Sequence, residues 1–61
     1  MRRGTMLRSR VAPCEHIVLI DKVPESGVDG VPMMWRVFSL QEARIRIFYE
    51  HTLKSAFWER V

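Results

Sequence analysis

Hydrophobic and polar positions along residues 39–61, SLQEARIRIFYEHTLKSAFWERV, recur at helical spacing, and this is the longest run free of Gly and Pro. At ~100° per residue, Leu40, Ala43, Ile47, Trp58 and Val61 fall on one side, and Ile45, Tyr49, Leu53, Ala56 and Phe57 on roughly the opposite side. A charged row, Glu42, Arg46, Glu50 and Lys54, runs between them in i,i+4 steps that each favour a helix by ~0.2–0.5 kcal/mol. Ser39 followed by Glu42 fits a capping box at its start. The pattern predicts one long C-terminal helix over about residues 40–60, roughly 30 Å in length. A helix apolar on two sides must be covered on two sides.

A second periodicity competes within the same run. Arg44-Ile45-Arg46-Ile47 alternates with period two, and Ile, Phe and Tyr favour strands, so these residues alone would read as an edge strand. A strand there needs a turn near residues 50–54, where neither Gly, Pro, Asn nor Asp is available. That absence decides for the helix.

Upstream, His16-Ile17-Val18-Leu19-Ile20 is aliphatic on both faces and bounded by Pro13 and Pro24, which predicts a strand packed on both sides. Residues 22–32, KVPESGVDGVP, are a loop punctuated by Pro24, Gly27, Gly30 and Pro32. Residues 33–38, MMWRVF, are expected to be extended and to pair with the first strand, since Ser39 and Glu42 set the helix start after them. A hairpin of two strands is marginal alone, so the helix should lie across it. The expected fold is small α+β: a basic extended arm over residues 1–13, then a ββα-like body over 14–61.

Length changes how that body must be stabilised. A chain of 61 residues buries only ~60% of the surface its unfolded form exposes, and its single cysteine, Cys14, excludes an intramolecular disulfide. The chain is therefore not expected to fold autonomously. The lone cysteine also argues against a disulfide-rich secreted class. No stretch approaches the ~20 apolar residues of a membrane-spanning helix, and no apolar core of a secretory signal follows the basic start.

Charge is unevenly placed. The net charge is +3, but residues 1–14 hold Arg2, Arg3, Arg8 and Arg10 with no acid, giving +4. The other 47 residues hold 6 basic and 7 acidic side chains, giving −1. An Arg-rich, acid-poor segment resembles a mitochondrial targeting sequence or a basic arm lying on RNA. With no hydrophobic run of its own, the arm is expected to be retained and held by a partner. Arg outnumbers Lys eight to two, and its fork suits phosphate as well as carboxylate.

Little in the chain resembles catalytic chemistry. Cys14-Glu15-His16 could contribute to a metal site or an activated thiolate, but a zinc site needs about four ligands and no second cysteine is present. His51 on a helix face reads as a packed or interface histidine. Gly27-Val28-Asp29-Gly30 lacks the Lys-Ser/Thr and the following helix of a phosphate loop. No enzyme activity, cofactor or metal is expected.

The six aromatics, Trp35, Phe38, Phe48, Tyr49, Phe57 and Trp58, could stack on bases, but they stand beside aliphatics and suit packing and protein interfaces better. Trp35, Ile45, Tyr49, Leu53, Phe57 and Trp58 are the expected protein-contact residues, and Arg2, Arg3, Arg8 and Arg10 the contacts to RNA or an acidic partner. The function expected is a non-catalytic structural subunit of a large organellar assembly on the mitochondrial matrix side. The first candidate is a mitochondrial ribosomal protein with its arm on rRNA. The alternative is a peripheral, non-membrane accessory subunit of a respiratory or ATP synthase complex.

Overall fold

The computed structural model describes residues 2–61; residue 1, part of the expected arm, lies outside them. Five strands follow in chain order: β1 (Met6–Ser9), β2 (His16–Lys22), β3 (Met34–Ser39), β4 (Arg44–Tyr49) and, after the single helical turn α1 (Glu50–Leu53), β5 (Trp58–Arg60). They form one antiparallel sheet in the order β4-β3-β2-β1-β5.

The long C-terminal helix is therefore corrected to two strands joined by one helical turn. The reason lies in the two turns. Ser39 Oγ accepts the Glu42 N–H at 3.3 Å, as the capping signal requires, while the Ala43 N–H donates to the Ser39 carbonyl at 2.8 Å. Ala43 then takes a positive φ of 54°, which reverses the chain into a hairpin instead of continuing a helix. The hydroxyl satisfies a backbone donor of the turn, while Ala43 takes the left-handed position that Gly or Asn fills in commoner turns. At the other end, α1 turns the chain after Tyr49, and Ser55 Oγ donates to the Thr52 carbonyl at 2.7 Å. Period two wins over period 3.6 because strand pairing with β3 is available to it, residue by residue from Met34↔Tyr49 to Ser39↔Arg44.

The basic extended arm is likewise corrected. Met6–Ser9 is an internal strand, with β2 on one side and β5 on the other. Its side chains alternate, Leu7 and Ser9 buried, Met6 and Arg8 exposed. The isolated +4 charge hid this pattern, because the strand is short and its two outward positions are occupied by Met and Arg.

The core lies on the concave side of the sheet. Leu7, Ile17, Leu19, Trp35, Val37 and Leu53 are buried there, with Phe48 and Trp58 packed against them. Leu53 enters this side because α1 folds back over it. At Ile20 the pairing with β3 slips, so that Leu19 faces Val37 and Asp21 faces Arg36. Such a bulge bends a strand and increases its twist. It also lets Leu19 point inward and Asp21 outward. The β2–β3 loop is pinned by Ser26, which is buried and donates to the Val23 carbonyl at 2.7 Å. Gly27 has a φ of 83°, and a Cβ there would come within 2.5 Å of Met33 Cε.

Candidate functional site

The convex face of the sheet has no second layer among the described residues. Directly opposed residues share a face, so the strand registers show which side chains line it. Met6 opposes Val18, Val18 opposes Phe38, and Phe38 opposes Ile45. At the far end the Val61 N–H donates to the Met6 carbonyl at 3.1 Å, extending the line beyond β5. The result is one apolar row, Val61, Met6, Val18, Phe38 and Ile45, crossing all five strand positions. Val18 and Phe38 are half-buried by their neighbours, whereas Val61 is 71% and Ile45 57% exposed. Ile47, also 57% exposed, and Tyr49 widen the row along β4.

Two ion pairs flank the row. On one side Arg8 Nε donates to Glu59 Oε1 at 3.0 Å, with a second bond from Nη2. On the other, Arg36 Nε donates to Asp21 Oδ1 at 2.7 Å, again with a second bond from Nη2. Hydrogen bonding from these guanidinium groups holds the Glu59 and Asp21 carboxyls below the usual carboxylate range. Each two-pronged pair fixes two facing strands and uses up its own charge.

The expected contact arginines are divided by this arrangement. Arg2 and Arg3 precede β1 in a turn where the Thr5 N–H donates to the Arg2 carbonyl at 3.2 Å. Arg3 adds to the positive field on Asp21. Arg10 follows β1, its N–H bonded to the Phe57 carbonyl at 2.7 Å, and its charge reaches Glu59. Arg8 is paired with Glu59. From Arg3 to Arg10 is seven residues of mostly extended chain, roughly 20 Å, so the four do not form one cluster.

The six expected protein-contact residues separate as well. Trp35 and Leu53, each 2% exposed, are core residues. The Trp35 indole N–H donates to Glu50 Oε1 at 2.9 Å, and this bond, with Lys54 beside it, holds the Glu50 carboxyl below its usual range. Trp58 is half-buried against Phe48. Ile45, Tyr49 and Phe57 are exposed, and only the first two lie on the convex face of β4. Met6, Val18, Phe38, Ile47 and Val61 were missed. Their signal is the apolar residue at every second position that remains after the core-facing set is removed, and it becomes visible only once β4 is read as a strand.

Elsewhere the sites weighed on sequence show ordinary contacts. Cys14 is a free, exposed thiol. The His16 N–H donates to Gln41 Oε1 at 2.9 Å. His51 is exposed and stacks on Tyr49, with ring centroids 5.4 Å apart. Among the described residues no three His, Cys, Asp or Glu side chains gather into a metal-binding group. No helix among the described residues is long and apolar enough to cross a membrane. No family model, curated protein or solved structure matches this chain.

Proposed function

We propose that this protein is a non-catalytic structural subunit that binds a partner protein through the convex face of its sheet. The observation that supports this reading is the apolar row from Val61 to Ile45, exposed at its ends and uncovered by any second layer among the described residues. A contiguous exposed apolar row on a sheet face marks a protein-interaction site. The two flanking ion pairs, Arg8–Glu59 and Asp21–Arg36, make the polar rim that surrounds the apolar centre of a protein interface.

A second reading rests on a separate observation. Arg2, Arg3, Arg10 and Arg60 are exposed and make no ion pair among the described residues. They would suit a phosphate backbone, in which case binding falls with log salt at a slope of about −0.7 to −0.9 per contact. Which assembly the subunit serves stays a proposal on composition alone: a mitochondrial ribosome, or a respiratory or ATP-synthesising complex.

Site-specific photo-crosslinking in the native host tests the reading. A photoreactive side chain at Ile45 should give an adduct to a different protein, and the same group at Val28, exposed in the β2–β3 loop, should not. Met6→Lys, on the same row three strands away, should abolish the adduct. An adduct removed by nuclease would transfer the function to the second reading. No adduct to a different protein at position 45, or equal adducts at both positions, would contradict the proposal.

A further inference from the structure

The open edge of β4 goes beyond the convex face, because it offers backbone rather than side chains. The Glu50 N–H donates to the Met33 carbonyl at 2.9 Å, one residue past the Met34↔Tyr49 pair. In an antiparallel ladder the residues that bond across alternate with those that do not. Arg44, Arg46, Phe48 and Glu50 therefore face β3, while Ile45, Ile47 and Tyr49 direct their N–H and C=O groups away from it. Among the described residues no strand is hydrogen-bonded on that side, since β4 ends the sheet and β5 pairs with β1. β4 carries no Pro, Lys or bulge, so that of the common ways of blocking an exposed edge it has only the charges of Arg44 and Arg46.

We propose that two copies of this chain pair antiparallel along β4, about a two-fold axis through Ile47. The sequence of β4 is complementary to itself in that register. Ile47 meets Ile47 of the second copy, and Ile45 meets Tyr49 of the second copy twice over, a favourable aliphatic–aromatic pair. At each end of the pairing Arg44 of one copy comes level with Glu50 of the other, the first residue of α1, whose N–H still completes the ladder to Met33, so opposite charges meet. Arg46 stands opposite Phe48 of the second copy and can repeat the cation–π contact it already makes to its own Phe48 at 5.0 Å.

The neighbouring symmetric registers are worse. A shift by two residues one way sets Arg46 against Arg46 of the second copy, and directly opposed like charges destabilise. A shift the other way centres the pair on Phe48 and leaves only residues 47–49 extended in both copies, against residues 45–49 in the favoured register, because Glu50 and His51 lie in α1. Arg46 is the inward-pointing charge that keeps an edge strand from pairing indiscriminately; here it selects one register. Pairing in this way would join two convex faces side by side, and the apolar rows would remain free for a partner.

Sedimentation equilibrium of the full chain, in reductant so that Cys14 cannot crosslink, tests the pairing. A concentration-dependent monomer–dimer equilibrium is expected. Arg44→Glu sets two acids against two acids and should raise the dissociation constant about tenfold. Ile47→Pro removes an N–H that points away from β3 and has no ladder partner among the described residues, so it should give a monomer with an unchanged far-ultraviolet spectrum. Met6→Lys should leave the dimer, and any adduct between two copies at Ile45, intact while abolishing the adduct to a different protein, which separates the edge from the face. A chain monomeric at every concentration, or a dimer that Arg44→Glu does not weaken, would overturn the proposal. If Ile47→Pro fails to fold, Arg44→Glu decides alone.

Discussion

Phe48 and Trp58 lie on the two opposite end strands of a five-stranded sheet, yet their rings meet edge to face with centroids 5.6 Å apart and planes at 68°. In a flat sheet the end strands would stand about 19 Å apart. The contact therefore requires the sheet to curl towards itself, and it closes the concave core between β4 and β5, which are not hydrogen-bonded neighbours in the sheet. The bulge at Ile20 and the single turn α1 supply the bend and the short path from β4 to β5.

This relationship is measurable by a double-mutant cycle. Phe48→Ala and Trp58→Ala should each lower stability, and together they should show a coupling of about 0.5–1.5 kcal/mol. Additive losses would mean that the two end strands do not meet.

The turn at Ser39–Ala43 gives a prediction whose sign separates strand from helix. In a helix, Ala43→Gly costs about 1 kcal/mol. In the hairpin, Ala43 holds a left-handed φ of 54°, which a side chain disfavours and Gly accepts. Ala43→Gly should therefore raise stability by up to about 1 kcal/mol, read from thermal or denaturant melts. Ser39→Ala should lower it by about 1 kcal/mol, since the buried hydroxyl accepts the Glu42 N–H.

How far the fold was legible follows from these same residues. Residues 16–20 read correctly as a strand because apolar side chains on both faces leave few alternatives. Residues 34–38 read correctly as extended. The segment 44–49 carried both periodicities, and the choice between them rested on a missing Gly, Pro, Asn or Asp. Ser39 and a four-residue helical turn served instead, and neither is distinguishable from a helix start in one sequence. The β1 strand was hidden by its charge, since Arg8 reads as part of a basic run until Glu59 is placed beside it. The convex row was invisible for a geometric reason: its members lie far apart in sequence and meet only through strand register.

Acid should loosen the fold in a predictable direction. Asp21, Glu42 and Glu59 are held below the usual carboxylate range by hydrogen bonds from Arg36, Arg44 and Arg8, and Glu50 by the Trp35 indole. A carboxyl lowered in the folded state contributes stability that is present above its unfolded value of about 4 and lost as pH falls through the lower folded value. The melting temperature should thus be flat from about pH 7 to 5 and fall below about pH 4. Glu50→Gln should reduce that acid dependence and remove any acid-induced change in Trp35 fluorescence. A melting temperature unchanged down to about pH 2 would contradict these pairings.

Both the interaction face and the dimer edge depend on β4 being an edge strand in the stated register. Amide hydrogen exchange across residues 44–50, followed by NMR on a dilute monomeric sample, tests that most directly. The amides of Arg44, Arg46, Phe48 and Glu50, bonded towards β3, should exchange slowly, and those of Ile45, Ile47 and Tyr49 should exchange fast. Raising the concentration should slow the second set alone. Uniform protection from residue 44 to residue 60 would restore the long helix, and protection of Ile45, Ile47 and Tyr49 in the dilute monomer would contradict the open edge.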